Sequence, residues 1–159
     1  MSKIIPRIFL GNKDDANNFF FIADNNIDII VNATKDLPLY HTNVPEITYY
    51  RFPVDDNLQE SEFEYFRMYA PNLIKELFHQ YVSGKSILIH CFAGKQRSAA
   101  LVTLLYIYIY KRETGNNLPV KDAIFYILAR RTLAFHYGQF INFEKPIHSI
   151  AEQIYNNVF

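Results

Sequence analysis

The stretch Ile87–Ser98, ILIHCFAGKQRS, combines the strongest structural and chemical signals in this chain. It opens with four largely apolar residues, 87–90, which are typical of a buried strand. Cys91 follows directly and is the only cysteine in the 159 residues. After five more residues, Arg97 and Ser98 open a long apolar run that predicts a buried helix. The stretch therefore predicts a strand, a tight loop and the beginning of a helix.

A loop of this kind is suited to binding an anion, because backbone N–H groups and the helix dipole converge on one point. A thiol placed there is stabilised as its thiolate, which is the nucleophilic form of cysteine. Arg97 keeps its charge and presents a planar fork that can hold two phosphate oxygens, and Ser98 is placed to donate to a departing thiolate. We therefore predict a catalytic role for Cys91, Arg97 and Ser98. The predicted phosphate-binding residues are Phe92, Ala93, Gly94, Lys95, Gln96 and Arg97.

Two other interpretations account for parts of this stretch. A lone cysteine is usually a small buried apolar residue, and strand-to-helix turns with a glycine are common in α/β proteins. The combination of His90, Gly94, Arg97 and Ser98 in one window favours catalysis over that structural role. An ATP-binding P-loop does not fit, because Gln96 follows Lys95 where that motif requires serine or threonine.

Length and composition predict one domain over residues 1–159, with enough apolar residues (50%) to form a sizeable core. A single cysteine excludes a disulfide framework and favours a reducing compartment, so we expect a cytoplasmic location, in the host cell if the source is a virus. The five histidines are scattered, and we expect no metal and no cofactor.

Charge and hydropathy limit the expected partners. No signal peptide or membrane-spanning run is evident, and a net charge of zero does not favour nucleic acid, so neither membrane nor nucleic acid is expected as a partner. Basic residues are nevertheless concentrated around the predicted anion loop. No acidic residue lies between Glu76 and Glu113, whereas Lys85, Lys95, Arg97, Lys111 and Arg112 do.

Hydrophobic patterning predicts an α/β fold: a central, parallel-rich, twisted sheet of four to five strands flanked by helices. Strands are predicted over residues 4–10, 27–31, 47–54 and 86–90. Helices are predicted from Asp14 to a break at Asn25, from Ser61 to a break at Ser83, and over residues 98–112, 120–131 and 139–156, with a loop over 133–138. We expect Pro71 to kink or split the second helix and Pro146 to bend the last one.

The spacing from Cys91 to Ser98 resembles the phosphate-binding loop of the cysteine-dependent phosphatases, and nearly the whole chain resembles a dual-specificity protein phosphatase. The opening residues 5–11 are similar to that family's first strand and turn, and residues 31–34 to the end of its second strand. Residues 52–57, FPVDDN, look like its general-acid loop, and residues 90–98 like its signature. The chain looks most like the compact single-domain members, such as the poxviral and atypical ones.

The resemblance implies further site residues. It implies that Asp56 is the general acid and Asp55 its neighbour, although either aspartate also suits a plain turn. His90 would either orient the loop through hydrogen bonds or be a buried histidine whose hydrogen bonds are formed within the core. Asn32 would either brace the loop from the adjacent strand or stabilise a turn. Two further residues, Arg130 and Arg131, would lie at the substrate edge of the pocket or simply complement the dipole of their helix.

The resemblance also implies a function: hydrolysis of phosphotyrosine and phosphoserine/threonine monoesters in proteins through a phosphocysteine intermediate. Lys95 departs from most members of the family and is similar to a lysine of phosphoinositide phosphatases, so a phosphoinositide or RNA 5′-phosphatase is the alternative. A catalytically dead phospho-binding module is disfavoured because Cys91 and Arg97 are both present. The expected partner is a phosphorylated protein substrate. We expect a monomer, because the chain begins too late to include the dimerisation helix of the poxviral members.

Overall fold

The computed structural model describes residues 1–159 and contains one five-stranded sheet in the order β1-β2-β5-β3-β4. The strands are β1 (Ser2–Ile5), β2 (Ile8–Gly11), β3 (Ile29–Asn32), β4 (Thr48–Arg51) and β5 (Ile87–His90). Strands β2, β5, β3 and β4 are parallel to one another, and β1 pairs antiparallel with β2 at one edge. The predicted parallel-rich α/β sheet flanked by helices is confirmed.

The helices flank the sheet unequally. They are α1 (Lys13–Asn17), α2 (Phe19–Asp24), α3 (Glu60–Val82), α4 (Arg97–Thr114), α5 (Val120–Arg130), α6 (Phe135–Gly138) and α7 (Glu144–Tyr155). Ile29 and Val31 of β3 face a core cluster of 35 buried residues that includes side chains of α3, α4, α5 and α7. Ile30 lies between them in sequence and faces a second cluster of six buried residues beside α1 and α2. This alternation is the two-residue period of a strand buried on both faces.

The central strand β5 and the buried helix α4 position the candidate site. β5 is hydrogen-bonded on both sides, to β2 and to β3, and all four of its residues are buried. α4 begins seven residues after β5 ends and is buried over most of its length. It ends at Gly115, whose φ of +76° is typical of a helix C-cap. No helix of the chain combines the length and the apolarity that are needed to cross a bilayer.

The N-terminal elements differ from the prediction. The single strand predicted over residues 4–10 is a hairpin of β1 and β2, because the chain turns at Pro6 and Arg7, with Arg7 at φ +72°. The single helix predicted from Asp14 is two short helices separated at Asn18. The side chain of Asn18 accepts hydrogen bonds from the N–H groups of Phe20 and Phe21, which caps the second helix.

Neither of the two prolines expected to disturb a helix divides one into two elements. Pro71 lies inside α3, which continues past it as one element and is not split. The final helix begins at Glu144 and not at residue 139, so Pro146 falls in its first turn. The first turn tolerates proline because its N–H groups have no partner within the helix. The predicted strand over residues 47–54 is also shorter, since β4 ends at Arg51.

The predicted loop over residues 133–138 contains a left-handed turn. Four consecutive residues of α6 have positive φ: Phe135 (+54°), His136 (+51°), Tyr137 (+60°) and Gly138 (+80°). Three of them are not glycine, and a left-handed conformation costs such residues roughly 1–2 kcal/mol each. The sequence offers no signal for this turn except Gly138, and its contacts with the phosphate loop are described below.

Candidate active site

The candidate site lies in the loop between β5 and α4. Cys91 is the first residue after β5 and is buried, and its Sγ lies 3.0 Å from the Oγ of Ser98 in the first turn of α4. The hydroxyl is therefore within hydrogen-bonding distance of the thiol.

A cavity of about 280 Å³ opens above the thiol. It is lined by Asp56, Cys91, Phe92, Ala93, Lys95, Gln96, Arg97 and His136. The structure thus brings Asp56 together with the phosphate-loop residues, although 35 residues or more separate them in sequence. A larger cavity of about 390 Å³ lies between α5 and α7, but neither cysteine nor arginine lines it, so it has no comparable chemistry.

Arg97 has guanidinium donors that the protein does not use. Its Nη1 donates to the carbonyl oxygen of Val54 at 3.2 Å, which ties the phosphate loop to the segment before Asp56. Its Nε is buried and has no hydrogen-bond partner in the protein. Leaving a buried donor unpaired is costly, so this N–H is suited to bind an oxygen of a ligand.

Gly94 allows the close packing beneath the loop. Its φ is +66°, and a Cβ at this position would lie 2.5 Å from the carbonyl oxygen of Gly11 and 2.5 Å from Nη2 of Arg131. Any larger residue would strain the backbone and displace one of these neighbours.

The two adjacent aspartates have different partners. Asp55 points to Lys35, whose Nζ lies 3.3 Å from its Oδ2, and the backbone N–H of Asp55 donates to Glu62 at 2.7 Å. Lys35 also donates to Glu62 at 2.9 Å, and that hydrogen bond raises the pKa of Lys35. Asp56 instead accepts a hydrogen bond from the side chain of Asn142 at 2.7 Å and lines the cavity. The arrangement assigns the cavity to Asp56 and a surface ion pair to Asp55.

His90 is buried directly before the cysteine. Burial lowers the pKa of His90 to about 4, so its imidazole is neutral at physiological pH. Its Nδ1 lies 3.3 Å from the carbonyl oxygen of Cys91, which suits an Nδ1–H donor that fixes the first peptide of the loop. Its ring also lies beside Tyr40, with 6.2 Å between the ring centroids.

Asn32 does not brace the phosphate loop as we expected. Its side-chain oxygen accepts from the N–H and the hydroxyl of Thr34, and its Nδ2 donates to the carbonyl oxygens of Leu37 and Pro38. These contacts shape the loop that follows β3. The structure therefore supports the alternative prediction for Asn32, in which its side chain stabilises a turn.

Arg130 and Arg131 do not form a substrate edge. Arg131 is buried, and its Nε donates to the carbonyl oxygen of Gly94 at 2.8 Å, so it supports the phosphate loop from beneath. Burial also lowers its pKa. Arg130 is exposed and lies over the ring of Tyr126, 3.3 Å from the centroid. Neither residue lines the cavity around Cys91.

Four contributors to the site were missed by sequence reasoning: Lys35, Glu62, His136 and Asn142. Each is a polar residue in a segment with no motif, and each reaches the site through tertiary packing. His136 and Asn142 lie beyond α5 and are hydrogen-bonded to Gln96 of the phosphate loop. No signal in a single sequence pairs residues that are 40 or more positions apart. No cluster of three potential metal ligands is present in the chain.

The loop between the central parallel strand and a buried helix carries a cysteine and, six residues later, an arginine. This arrangement defines the class of cysteine-dependent phosphatase folds. Residues 8–145 match the family model described as the dual specificity phosphatase catalytic domain. The chain therefore belongs to this family, and the predicted family resemblance is confirmed.

The sequence relatives are longer proteins. The chain is 26% identical to human dual specificity protein phosphatase 7 over 165 residues, which span 96% of this chain and 37% of the relative. It is 26% identical to human dual specificity protein phosphatase 6 over 149 residues, which span 91% of this chain and 36% of the relative. The chain thus spans little more than a third of the length of these relatives.

Solved structures share the fold over nearly the whole chain. Human DUSP28 superposes with a TM-score of 0.73 and 20% identity, over 99% of this chain and 97% of that one. A mouse putative dual specificity phosphatase complexed with zinc tungstate has a TM-score of 0.79 and 20% identity, over 99% of this chain and 89% of that one. At these identities the similarity concerns the fold.

Proposed function

We propose that this chain is a cysteine-dependent protein phosphatase that hydrolyses phosphotyrosine and phosphoserine/threonine monoesters. One observation carries the proposal: a single cavity holds Cys91, an arginine with an unpaired buried donor and the carboxyl group of Asp56. Membership of the dual specificity phosphatase family supports protein phosphomonoesters as the substrate class.

In the first step, the Cys91 thiolate attacks phosphorus in line with the ester oxygen, so that an S–P bond forms as the P–O bond breaks. Arg97 binds the phosphoryl oxygens through its free donors while the loop N–H groups surround them. These fixed donors stabilise the charge that spreads over the oxygens in the transition state. Asp56, in its protonated form, gives its proton to the departing alcohol or phenol.

In the second step, water attacks the phosphocysteine and the S–P bond breaks. Asp56, now a carboxylate, takes a proton from this water, so the acid is regenerated. Ser98 donates a hydrogen bond to the sulfur of Cys91 as it departs as a thiolate, over the 3.0 Å distance between the two side chains. Neither step requires a metal ion.

Phosphoinositides and RNA 5′-phosphates are not favoured as substrates. Lys95 is the feature that suggested them, and it does line the cavity. The only other basic groups that line the cavity are Arg97, which the phosphoryl group requires, and His136. Membership of the dual specificity phosphatase family also favours phosphorylated proteins over these two substrates.

We also propose that one chain suffices for activity, because a single chain brings Cys91, Arg97 and Asp56 together around one cavity. A cytoplasmic location is proposed as well, since the thiol of Cys91 has to stay reduced to act. Specific activity that is constant over a wide range of enzyme concentration would support catalysis by the monomer.

A substrate panel tests the proposed function. The wild type and Cys91→Ser would be compared on a phosphotyrosine peptide, a phosphothreonine peptide, phosphoinositide vesicles and a 5′-triphosphate RNA. We expect the wild type to release phosphate from both peptides at the highest kcat/KM and Cys91→Ser to be inactive on all four. A higher kcat/KM on phosphoinositide or RNA than on either peptide would contradict the proposed substrate class.

A further inference from the structure

Gln96 is a buried polar residue in the phosphate loop, and its side-chain amide is fully used. Its Nε2 donates to the carbonyl oxygen of Phe140 at 2.8 Å and lies 2.7 Å from Nδ1 of His136. Its Oε1 accepts from the backbone N–H of Asn142 at 3.0 Å. The amide therefore attaches the phosphate loop to the segment between α5 and α7 at three points.

Two backbone groups fix the orientation of this amide. The carbonyl oxygen of Phe140 can only accept, and the N–H of Asn142 can only donate. The amide nitrogen of Gln96 must therefore face Phe140, and its second hydrogen points to His136. Nδ1 of His136 is thus the acceptor of this hydrogen bond. A flipped amide would lose the bonds to Phe140 and Asn142.

The segment held by Gln96 is under conformational strain. Its turn contains three consecutive residues other than glycine with positive φ, residues 135–137. Such strain persists only where the surroundings hold it, and it is concentrated at functional sites. The phosphate loop supplies a further attachment, because the N–H of Phe135 donates to the carbonyl oxygen of Lys95 at 2.8 Å. The strained segment is thus held against the loop from both ends.

Asn142 extends the connection to the general acid. Its backbone N–H binds Gln96, and its side-chain Nδ2 donates to Oδ1 of Asp56 at 2.7 Å. Asp56 is exposed and lies on a loop, so its carboxyl group would otherwise sample several orientations. The hydrogen bond occupies Oδ1 as an acceptor, which leaves Oδ2 to carry the proton that is transferred.

We propose that Gln96 and Asn142 are positioning residues that hold the carboxyl group of Asp56 toward the sulfur of Cys91. This inference rests on the proposed function, in which Asp56 is the general acid. The connection joins the loop that binds phosphate to the residue that protonates the leaving group, so that both act on one substrate in a fixed geometry.

The test uses the substitution Asn142→Ala, which removes the side-chain donor but keeps the backbone N–H that binds Gln96. We expect kcat/KM, which reports only on formation of the phosphocysteine, to fall about tenfold on an alkyl phosphate, a part of the 10²–10⁴-fold that general acid catalysis typically supplies. On nitrophenyl phosphate, whose leaving group needs no proton, kcat/KM should change little. Asn142→Leu keeps a side chain of similar size and loses the donor without adding a charge, so it should give the same pattern.

Asn57→Ala is the matched control. Asn57 is adjacent to Asp56 on the same loop, but its side chain accepts from the N–H of Gln59 and does not contact Asp56. A general disturbance of the loop would affect this variant as well, whereas loss of positioning should not. We expect near wild-type kcat/KM on both substrates. Gln96→Ala should show the leaving-group dependence of Asn142→Ala, because it releases the segment that carries Asn142.

The double variant Asp56→Asn/Asn142→Ala separates positioning from structural support. If Asn142 acts only through Asp56, the double variant should be no slower than Asp56→Asn alone on the alkyl phosphate. An equal loss on both substrates, or a further loss in the double variant, would overturn the positioning role. If Asp56→Asn itself showed no leaving-group dependence, the general-acid assignment would fall instead, and the positioning role with it.

Discussion

Arg131→Met should destabilise the protein by about 3–5 kcal/mol, whereas Arg130→Met should cost less than about 1 kcal/mol. The two arginines are adjacent in sequence and are equal in charge. Arg131 is 7% exposed and donates to the carbonyl oxygen of Gly94 at 2.8 Å and to the hydroxyl of Ser2 at 3.1 Å. Methionine at this position retains much of the apolar volume of the arginine side chain but none of its hydrogen-bond donors.

The magnitude follows from these two bonds. Hydrogen bonds to a charged group contribute about 1.5–3 kcal/mol each, which gives a range of roughly 3–6 kcal/mol. Water that enters the vacated space will satisfy part of the loss, so we expect the lower part of that range. Arg130 has only an exposed contact with the ring of Tyr126 and a bond to the carbonyl oxygen of the same residue. An exposed cation–π contact is worth about 0.5–1 kcal/mol.

Urea unfolding of both variants would measure the two free energies, and initial rates on an aryl phosphate would measure the effect on the loop. Arg131→Met should also lower kcat/KM, because the peptide of Gly94 loses the anchor that fixes it in the loop. Arg130→Met should leave the rate near that of the wild type. A cost below about 1 kcal/mol for Arg131→Met, or equal costs for the two variants, would refute the supporting role of Arg131.

Three further outcomes are expected. Gly94→Ala should lower kcat/KM by about 10²-fold or more in steady-state assays, because its Cβ would lie 2.5 Å from the carbonyl oxygen of Gly11; a near wild-type rate would contradict this packing. Asp56→Asn should lower kcat/KM by about 10²–10⁴-fold on an alkyl phosphate and far less on nitrophenyl phosphate, whereas Asp55→Asn should be mild on both; the opposite result would move the general acid to Asp55. The buried His90, with a pKa of about 4 against 6.5 in the unfolded chain, takes up its proton first in the unfolded state. The free energy of unfolding should therefore fall as the pH drops from 6.5 to 4, by up to about 3 kcal/mol more than in His90→Gln. Urea unfolding of both proteins across pH would measure the difference. Parallel pH profiles would exclude a contribution from His90.

The sheet could be predicted because its inner strands are short apolar runs bounded by turn residues. β3 and β5 are buried on both faces, and their sequences are correspondingly apolar. The N-terminal hairpin could not be predicted, since its turn places Arg7 at a φ of +72° that arginine seldom adopts. The left-handed turn at residues 135–138 could not be predicted for the same reason. Such conformations are imposed by tertiary contacts and leave little trace in local sequence.

The phosphate loop could be located because its chemistry lies in one contiguous stretch, Cys91–Ser98. The residues that support it are dispersed. Asn142 lies 86 positions from Asp56, and only the packing of the segment before α7 against the loop brings them together. The family resemblance predicted Arg131 at the pocket edge, whereas the structure buries it beneath Gly94, which is a tertiary feature.

The most direct measurement is a rapid acid quench during turnover of nitrophenyl phosphate, followed by mass spectrometry of the peptide that contains Cys91. The variant to use is Ser98→Ala, because loss of the hydroxyl 3.0 Å from the sulfur should slow departure of the thiolate and allow the intermediate to accumulate. We predict a burst of nitrophenolate close to one equivalent per enzyme and a phosphate attached to Cys91. No phosphate on Cys91, together with continued turnover by Cys91→Ser, would contradict the phosphocysteine mechanism.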